Sequence, residues 1–182
     1  MEKNEIFDVS KLGFGLMRLP EKDGEIDYDH VCRMVDKYME AGLNYFDTAY
    51  VYHSGKSEVA ARECLVKRYP RESFKIATKL PSWCMKSKDD RDRIFNEQLE
   101  RTGVDYFDFY LLHSLEDGNN YDTYEQLDCF NWGLQKKREG KIKHFGISFH
   151  DRAEVLEKIL SEQPDIEIVQ LQLNYLDFDD PS

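Results

Sequence analysis

The stretch NYFDTAYVY, Asn44–Tyr52, decides how the rest of the chain is read. Its opening apolar residues predict a short strand that ends on Asp47, and Tyr52 follows in the loop just beyond. Two later apolar runs carry a single polar residue near the same end: Lys79 in KIATKL (Lys75–Leu80) and His113 in FDFYLLHS (Phe107–Ser114). An Asp, a Tyr, a Lys and a His at successive strand ends suit a barrel enzyme, whose reacting groups gather where strands run out into loops.

Outward from this core, short apolar runs alternate with amphipathic stretches, the pattern of repeated β/α units around a parallel sheet. Six strands are predicted: Leu12–Met17, Asn44–Ala49, Lys75–Leu80, Phe107–Ser114, His144–Phe149 and Ile168–Leu176. Most are continuously apolar, as expected of strands covered on both faces. Five helices are predicted between them, at Tyr28–Ala41, Ser57–Arg68, Lys88–Arg101, Tyr121–Arg138 and Ala153–Glu162. Asp27, Ser57, Ser87 and Asp151 are placed to cap helix starts, and Gly42, Gly103 and Gly140 to end helices in the left-handed conformation. The fold class is therefore α/β, an incomplete TIM (β/α)8 barrel, in one domain over residues 1–182. A closed barrel has eight strands and commonly about 250 residues, so the expectation is a barrel truncated after its sixth strand, or a sheet left open or completed by another chain.

Composition narrows the function. A formal charge of −11 with 25 basic against 36 acidic residues excludes a bare nucleic-acid or anionic-membrane surface. No apolar run is long enough to span a bilayer, and MEKNEIFDVS lacks an apolar signal core, so a cytoplasmic location is expected. Cys32, Cys64, Cys84 and Cys129 form no C-x-x-C pair and are expected to be buried reduced thiols. The five histidines form neither H-x-H nor H-E-x-x-H, which argues against a metal-dependent hydrolase. HSGKS (His53–Ser57) has Tyr50 where a phosphate loop needs glycine, and no G-x-G-x-x-G occurs, which removes the P-loop and Rossmann readings.

The four strand-end residues support a specific chemistry. Carbonyl reduction needs a proton donor, and a lysine cation beside a tyrosine lowers the phenol's pKa by stabilising the phenolate. An aspartate holds that lysine charged and in place, and a histidine orients the substrate oxygen.

The ordered motifs GFGLMRLP at Gly13, NYFDTAYVYHSGKSE at Asn44, IATKLP at Ile76, DFYLLHS at Asp108, GKIKHFGIS at Gly140 and VQLQLNY at Val169 resemble the aldo-keto reductase family over the whole chain. The resemblance implies NADPH-linked reduction of aldehyde or ketone substrates. Tyr52 would be the general acid, Asp47 and Lys79 its tuning pair, and His113 the carbonyl-orienting group. It also implies cofactor contacts from Ser148, Gln170 and Asp47, and from Met17 and Arg18. GFGLMRLP and VQLQLNYLD further resemble a bacterial subgroup whose longer chains add a ferredoxin-like iron–sulfur domain; that domain, and the family's later phosphate-gripping loops, are not in this sequence, so weak or no activity is expected at this length. Trp83 is placed either on the substrate side or against a helix. The rival reading is a non-catalytic barrel that associates through its open edges.

Overall fold

The apolar runs become strands of one parallel sheet, and the amphipathic stretches pack outside it. The structure is a computed structural model that describes residues 8–116 and 119–174. In chain order the elements are β1 (Gly13–Gly15), β2 (Glu21–Lys22), β3 (Glu25–Ile26), α1 (Tyr28–Glu40), β4 (Tyr45–Asp47), α2 (Lys56–Ala61), β5 (Lys75–Leu80), α3 (Asp89–Thr102), β6 (Phe107–Leu115), α4 (Tyr121–Gln126), α5 (Cys129–Arg138), β7 (Ile142–Phe149), α6 (Ala153–Glu162) and β8 (Ile168–Leu171). Six strands make a sheet in the order β1-β4-β5-β6-β7-β8, all parallel, while β2 and β3 form a small antiparallel hairpin. This is the incomplete barrel expected, a curled sheet with helices on its outer side.

The core explains the strand sequences. Phe46, Ile76, Phe107, Tyr110, Leu112, Phe145 and Ile147 are buried against helical residues including Val31, Val35, Ala60, Leu65, Ile94, Phe95 and Trp132. Gly146 permits the closest approach between strands, because a Cβ there would lie 2.1 Å from the carbonyl oxygen of Ile168. Gly146→Val should therefore separate β7 from β8 and cost about 3 kcal/mol, at the upper end of overpacking penalties. Urea melts would measure it, and a variant as stable as the parent would refute the close-packing argument.

Several boundaries depart from the sequence reading. The fourth helix is two, because Asp128 takes a left-handed φ of 56° between α4 and α5. The second helix keeps α-geometry only over Lys56–Ala61 and continues as a π-helical turn over Arg62–Val66. The last strand ends at Leu171, and Tyr175–Leu176 of the predicted run lie outside the described residues. Asp27 does cap α1, accepting from His30 N–H at 2.9 Å, and Gly42, Gly103 and Gly140 all have positive φ. The other caps do not form as expected. Asp90 accepts from the N–H groups of Lys86 and Ser87, Asp151 accepts from its neighbour Arg152, and Ser57 is buried and donates to the Leu16 carbonyl.

The cysteine expectation also needs correcting. Packing of α1 on the π-helical turn brings Cys32 and Cys64 to a Cα separation of 4.6 Å, and the structure joins them as a disulfide. Cys84 and Cys129 are free. Tertiary approach of two helices makes this pair, so sequence spacing carries no sign of it.

Candidate active site

One polar group from each sheet strand after β1 reaches the C-terminal rim: Asp47 of β4, Lys79 of β5, His113 of β6, Ser148 of β7 and Gln170 of β8. They line an open cleft of about 700 Å³ together with Tyr52, Met17 and Arg18. All eight sequence-predicted site residues are thus brought together. Three more aromatic or imidazole side chains share the cleft: His53, Trp83 and His150.

Lys79 is the hub. Its side chain is 2% exposed, and its Nζ donates to both Asp47 carboxylate oxygens at 2.7 and 2.6 Å and to the Thr48 carbonyl at 2.9 Å. The Tyr52 hydroxyl lies 3.4 Å away, and the ammonium stands 5.0 Å from the centre of the Tyr52 ring. Burial lowers the Lys79 pKa, and the Asp47 carboxylate works against that fall.

Tyr52 differs from the sequence expectation. Burial first, and the Asp47 charge second, push its phenol up to about 12 rather than down. Lys79 directs its shortest bonds at Asp47, so the ion pair presents little net charge to the phenol. The consequence is a phenol that holds its proton throughout the neutral range.

His113 stacks edge-on to Tyr52 at 5.8 Å between ring centres and lies 5.2 Å from the Trp83 ring. Its Nδ1 is buried without a hydrogen-bond partner among the described residues. Burial, then the charges of Lys79 and His150, lower its pKa to about 3, so the ring is neutral. A register shift between Leu112 and Leu115, with Ser114 at φ 58°, breaks the ladder beside His113, as bulges do where a side chain is re-aimed. Because the folded-state pKa is depressed from 6.5, the native state is favoured above pH 6.5 and loses that advantage as pH falls toward 3. His113→Gln should flatten this part of the acid stability profile in urea melts at pH 7 and pH 4. An unchanged slope would contradict the buried neutral imidazole.

Outer residues fix the strand ends. The Tyr124 hydroxyl lies 2.8 Å from the carbonyls of both Leu80 and His113 and accepts from the N–H groups of Ser82 and His113 at 3.0 Å. Behind Lys79, the Gln98 amide donates to the Lys79 carbonyl and to Glu58, each at 3.0 Å, and Thr78 donates to Glu58 at 2.7 Å. Glu58 is fully buried, and desolvation raises its pKa. Sequence reasoning passed over these residues. The available signal was Gln98, a polar residue on the buried stripe Ile94, Phe95, Gln98, Thr102 of α3.

The rim also offers the groups a nicotinamide amide would need. Gln170 Nε2 donates to Asp47 at 3.3 Å, while its Oε1 is buried with no partner among the described residues. Ser148 Oγ accepts from Ser114 N–H at 2.7 Å, which leaves its own O–H free to donate. An unspent acceptor and an unspent donor on adjacent strands match a carboxamide, so these residues fit the cofactor.

The chain and its fold have counterparts among known proteins. A model of the aldo/keto reductase family matches residues 11–182. The chain belongs to that family. "Probable aldo-keto reductase 1" of Glycine max is 33% identical over 152 residues, covering 78% of this chain and 42% of that protein. The holo form of aldo-keto reductase AKR11C1 from Bacillus halodurans superposes with a TM-score of 0.73 at 28% identity, covering 91% of this chain and 54% of that one. An aldo-keto reductase from Klebsiella pneumoniae solved in complex with NADPH shares the fold with a TM-score of 0.73 at 23% identity, covering 91% and 55%. This aldo/keto reductase chain spans under half the length of the curated relatives it matches. Among its described residues no helix is long and apolar enough to cross a membrane, and no group of three or more His, Cys, Asp or Glu could hold a metal ion.

Proposed function

We propose that this chain carries the proton-donor half of an NADP(H)-dependent carbonyl reductase site. The carrying observation is the Lys79 ammonium held between the Asp47 carboxylate and the Tyr52 hydroxyl, with neutral His113 facing Tyr52 across the same cleft. NADPH, when bound, supplies a hydride to the carbonyl carbon. Gln170 and Ser148 would hold its carboxamide, and Met17 and Arg18 would line its path.

The rest of the chemistry falls to the chain's own side chains. His113 and Trp83 border the position of an aldehyde or ketone, and His113 orients its oxygen toward Tyr52. As negative charge builds on that oxygen, Tyr52 gives up its proton. An alkoxide is a far stronger base than a phenolate, so even a phenol titrating near 12 can transfer it. The Lys79 ammonium lies 3.4 Å from the phenolate oxygen that results, close enough to turn a hydrogen bond toward it as that charge forms.

The test is to titrate the 182-residue protein with NADPH by nicotinamide fluorescence, then to follow aldehyde-dependent NADPH oxidation. Saturable binding followed by weak turnover is expected; a folded protein that binds NADPH yet oxidises none with any aldehyde or ketone would overturn the reading. A second reading, self-association through the sheet edges, is supported by two observations. Among the described residues β1 and β8 each pair on one side only, and Leu12, Leu171 and Leu173 are 62%, 50% and 78% exposed. Sedimentation over a concentration series decides it, since a clean monomer would count against association.

A further inference from the structure

Tyr52 is followed by three residues in the left-handed region: His53 (φ 48°), Ser54 (φ 55°) and Gly55 (φ 87°). Only glycine adopts this conformation without steric penalty, so two consecutive side-chain-bearing residues need something to hold them there. The contacts of His53 supply it. The backbone N–H of Leu19 donates to His53 Nε2 at 3.1 Å, and His53 Nδ1 stands 3.1 Å from Glu21 Oε1. An Nε2 that accepts carries no proton, so the imidazole is neutral with its hydrogen on Nδ1, donating to Glu21.

These two bonds join parts of the site that are distant in sequence. Leu19 closes the loop after β1 that bears Met17 and Arg18, and Glu21 begins the β2–β3 hairpin. The other end of that loop is fixed at Leu16, whose N–H donates to the Asp47 carbonyl at 2.8 Å and whose carbonyl accepts from Ser57 at 2.9 Å. Met17 and Arg18 therefore span two anchors, one made by the backbone beside Asp47 and the other by His53. Moving His53 would move its neighbour Tyr52 and the Leu19 anchor together.

We infer that His53 is a positioning residue, a neutral imidazole clamp that sets the Tyr52 loop against the Met17–Arg18 loop through Leu19 N–H and Glu21. It touches neither reacting atom, and its effect on catalysis rests on the reductase reading above. A glutamine presents an acceptor and a donor at a separation close to that of the two ring nitrogens, whereas phenylalanine keeps the ring and loses both.

Three readouts test the clamp on the 182-residue protein. In His53→Phe, amide exchange at Leu19 should accelerate. The 19F signal of 3-fluorotyrosine at position 52, assigned by its loss in Tyr52→Phe, should shift or broaden. The kcat should drop about 10–100-fold, the scale on which slight misplacement of a reacting group acts, with the carbonyl KM unchanged. His53→Gln should restore all three. If His53→Phe does not fold, Glu21→Ala releases the Nδ1 side alone from an exposed hairpin and should move the same signals less far. Parental Leu19 exchange and an unmoved Tyr52 signal in His53→Phe would overturn the proposal, as would failure of glutamine to restore what phenylalanine loses. Absence of turnover in the parent protein would count against the reductase reading alone, because exchange and 19F signals judge the clamp without it.

Discussion

Replacing Tyr52 with phenylalanine is expected to lower carbonyl-dependent NADPH oxidation by roughly 10²–10⁴-fold, the usual worth of a positioned acid, with NADPH affinity unchanged. The substitution removes one oxygen and little else. The ring keeps its edge contact with His113 and its place beside the Lys79 ammonium. Among the described residues the hydroxyl makes a single long contact, 3.4 Å to Lys79, so its loss strands no strong hydrogen-bond partner there. Stability should therefore change little while kcat and kcat/KM fall together, the pattern of an interaction made in the transition state. Stopped-flow turnover and fluorescence titration on the same sample separate the two quantities. Retained turnover would move the proton-donor role to His113 or to water.

The second large effect is on stability. Asp47→Asn leaves the Lys79 side chain, 2% exposed, without its counter-charge, and removing one partner of a buried pair costs about 3–5 kcal/mol. Lys79 would keep its bond to the Thr48 carbonyl and could donate to the amide oxygen of the new asparagine, but two neutral acceptors do not replace the charge of a carboxylate engaged through both oxygens. Its pKa, already lowered by burial, should fall further, so the variant destabilises less at high pH where a neutral amine is tolerated. The double variant Asp47→Asn/Lys79→Met should regain much of the loss because no charge is left buried. Chemical denaturation of the three variants gives the cycle; a double variant as unstable as the single would mean that packing, rather than charge, sets the cost.

Much of this arrangement is legible in the sequence because a polar residue near the end of an apolar strand has few other reasons to be there. Asp47, Lys79 and His113 stand out on that ground, and Tyr52 by its distance from Asp47. The ionisation of Tyr52 is not legible in the same way. It depends on which neighbour Lys79 prefers, and the preference for Asp47 is a matter of tenths of an ångström. The β2–β3 hairpin did leave a signal, an Asp-Gly pair with φ of 54° and 81° at Asp23 and Gly24, but its two-residue strands are too short and too charged to show alternation. The break at Asp128 left only a weak signal, an aspartate that tolerates the left-handed region, and tertiary packing selects the turn. The Cys32–Cys64 pairing left none.

The Tyr124 hydroxyl gives the molecule a built-in gauge. By bonding to the backbone of both Leu80 and His113, one outer-layer side chain fixes the relative height of the strands that carry Lys79 and His113. Substitutions elsewhere on α4 and α5 can then repack the outer surface without altering the spacing between Lys79 and His113. Change in the outer helices is in this way decoupled from the geometry of the cleft, and the cost of that freedom is concentrated in a single tyrosine.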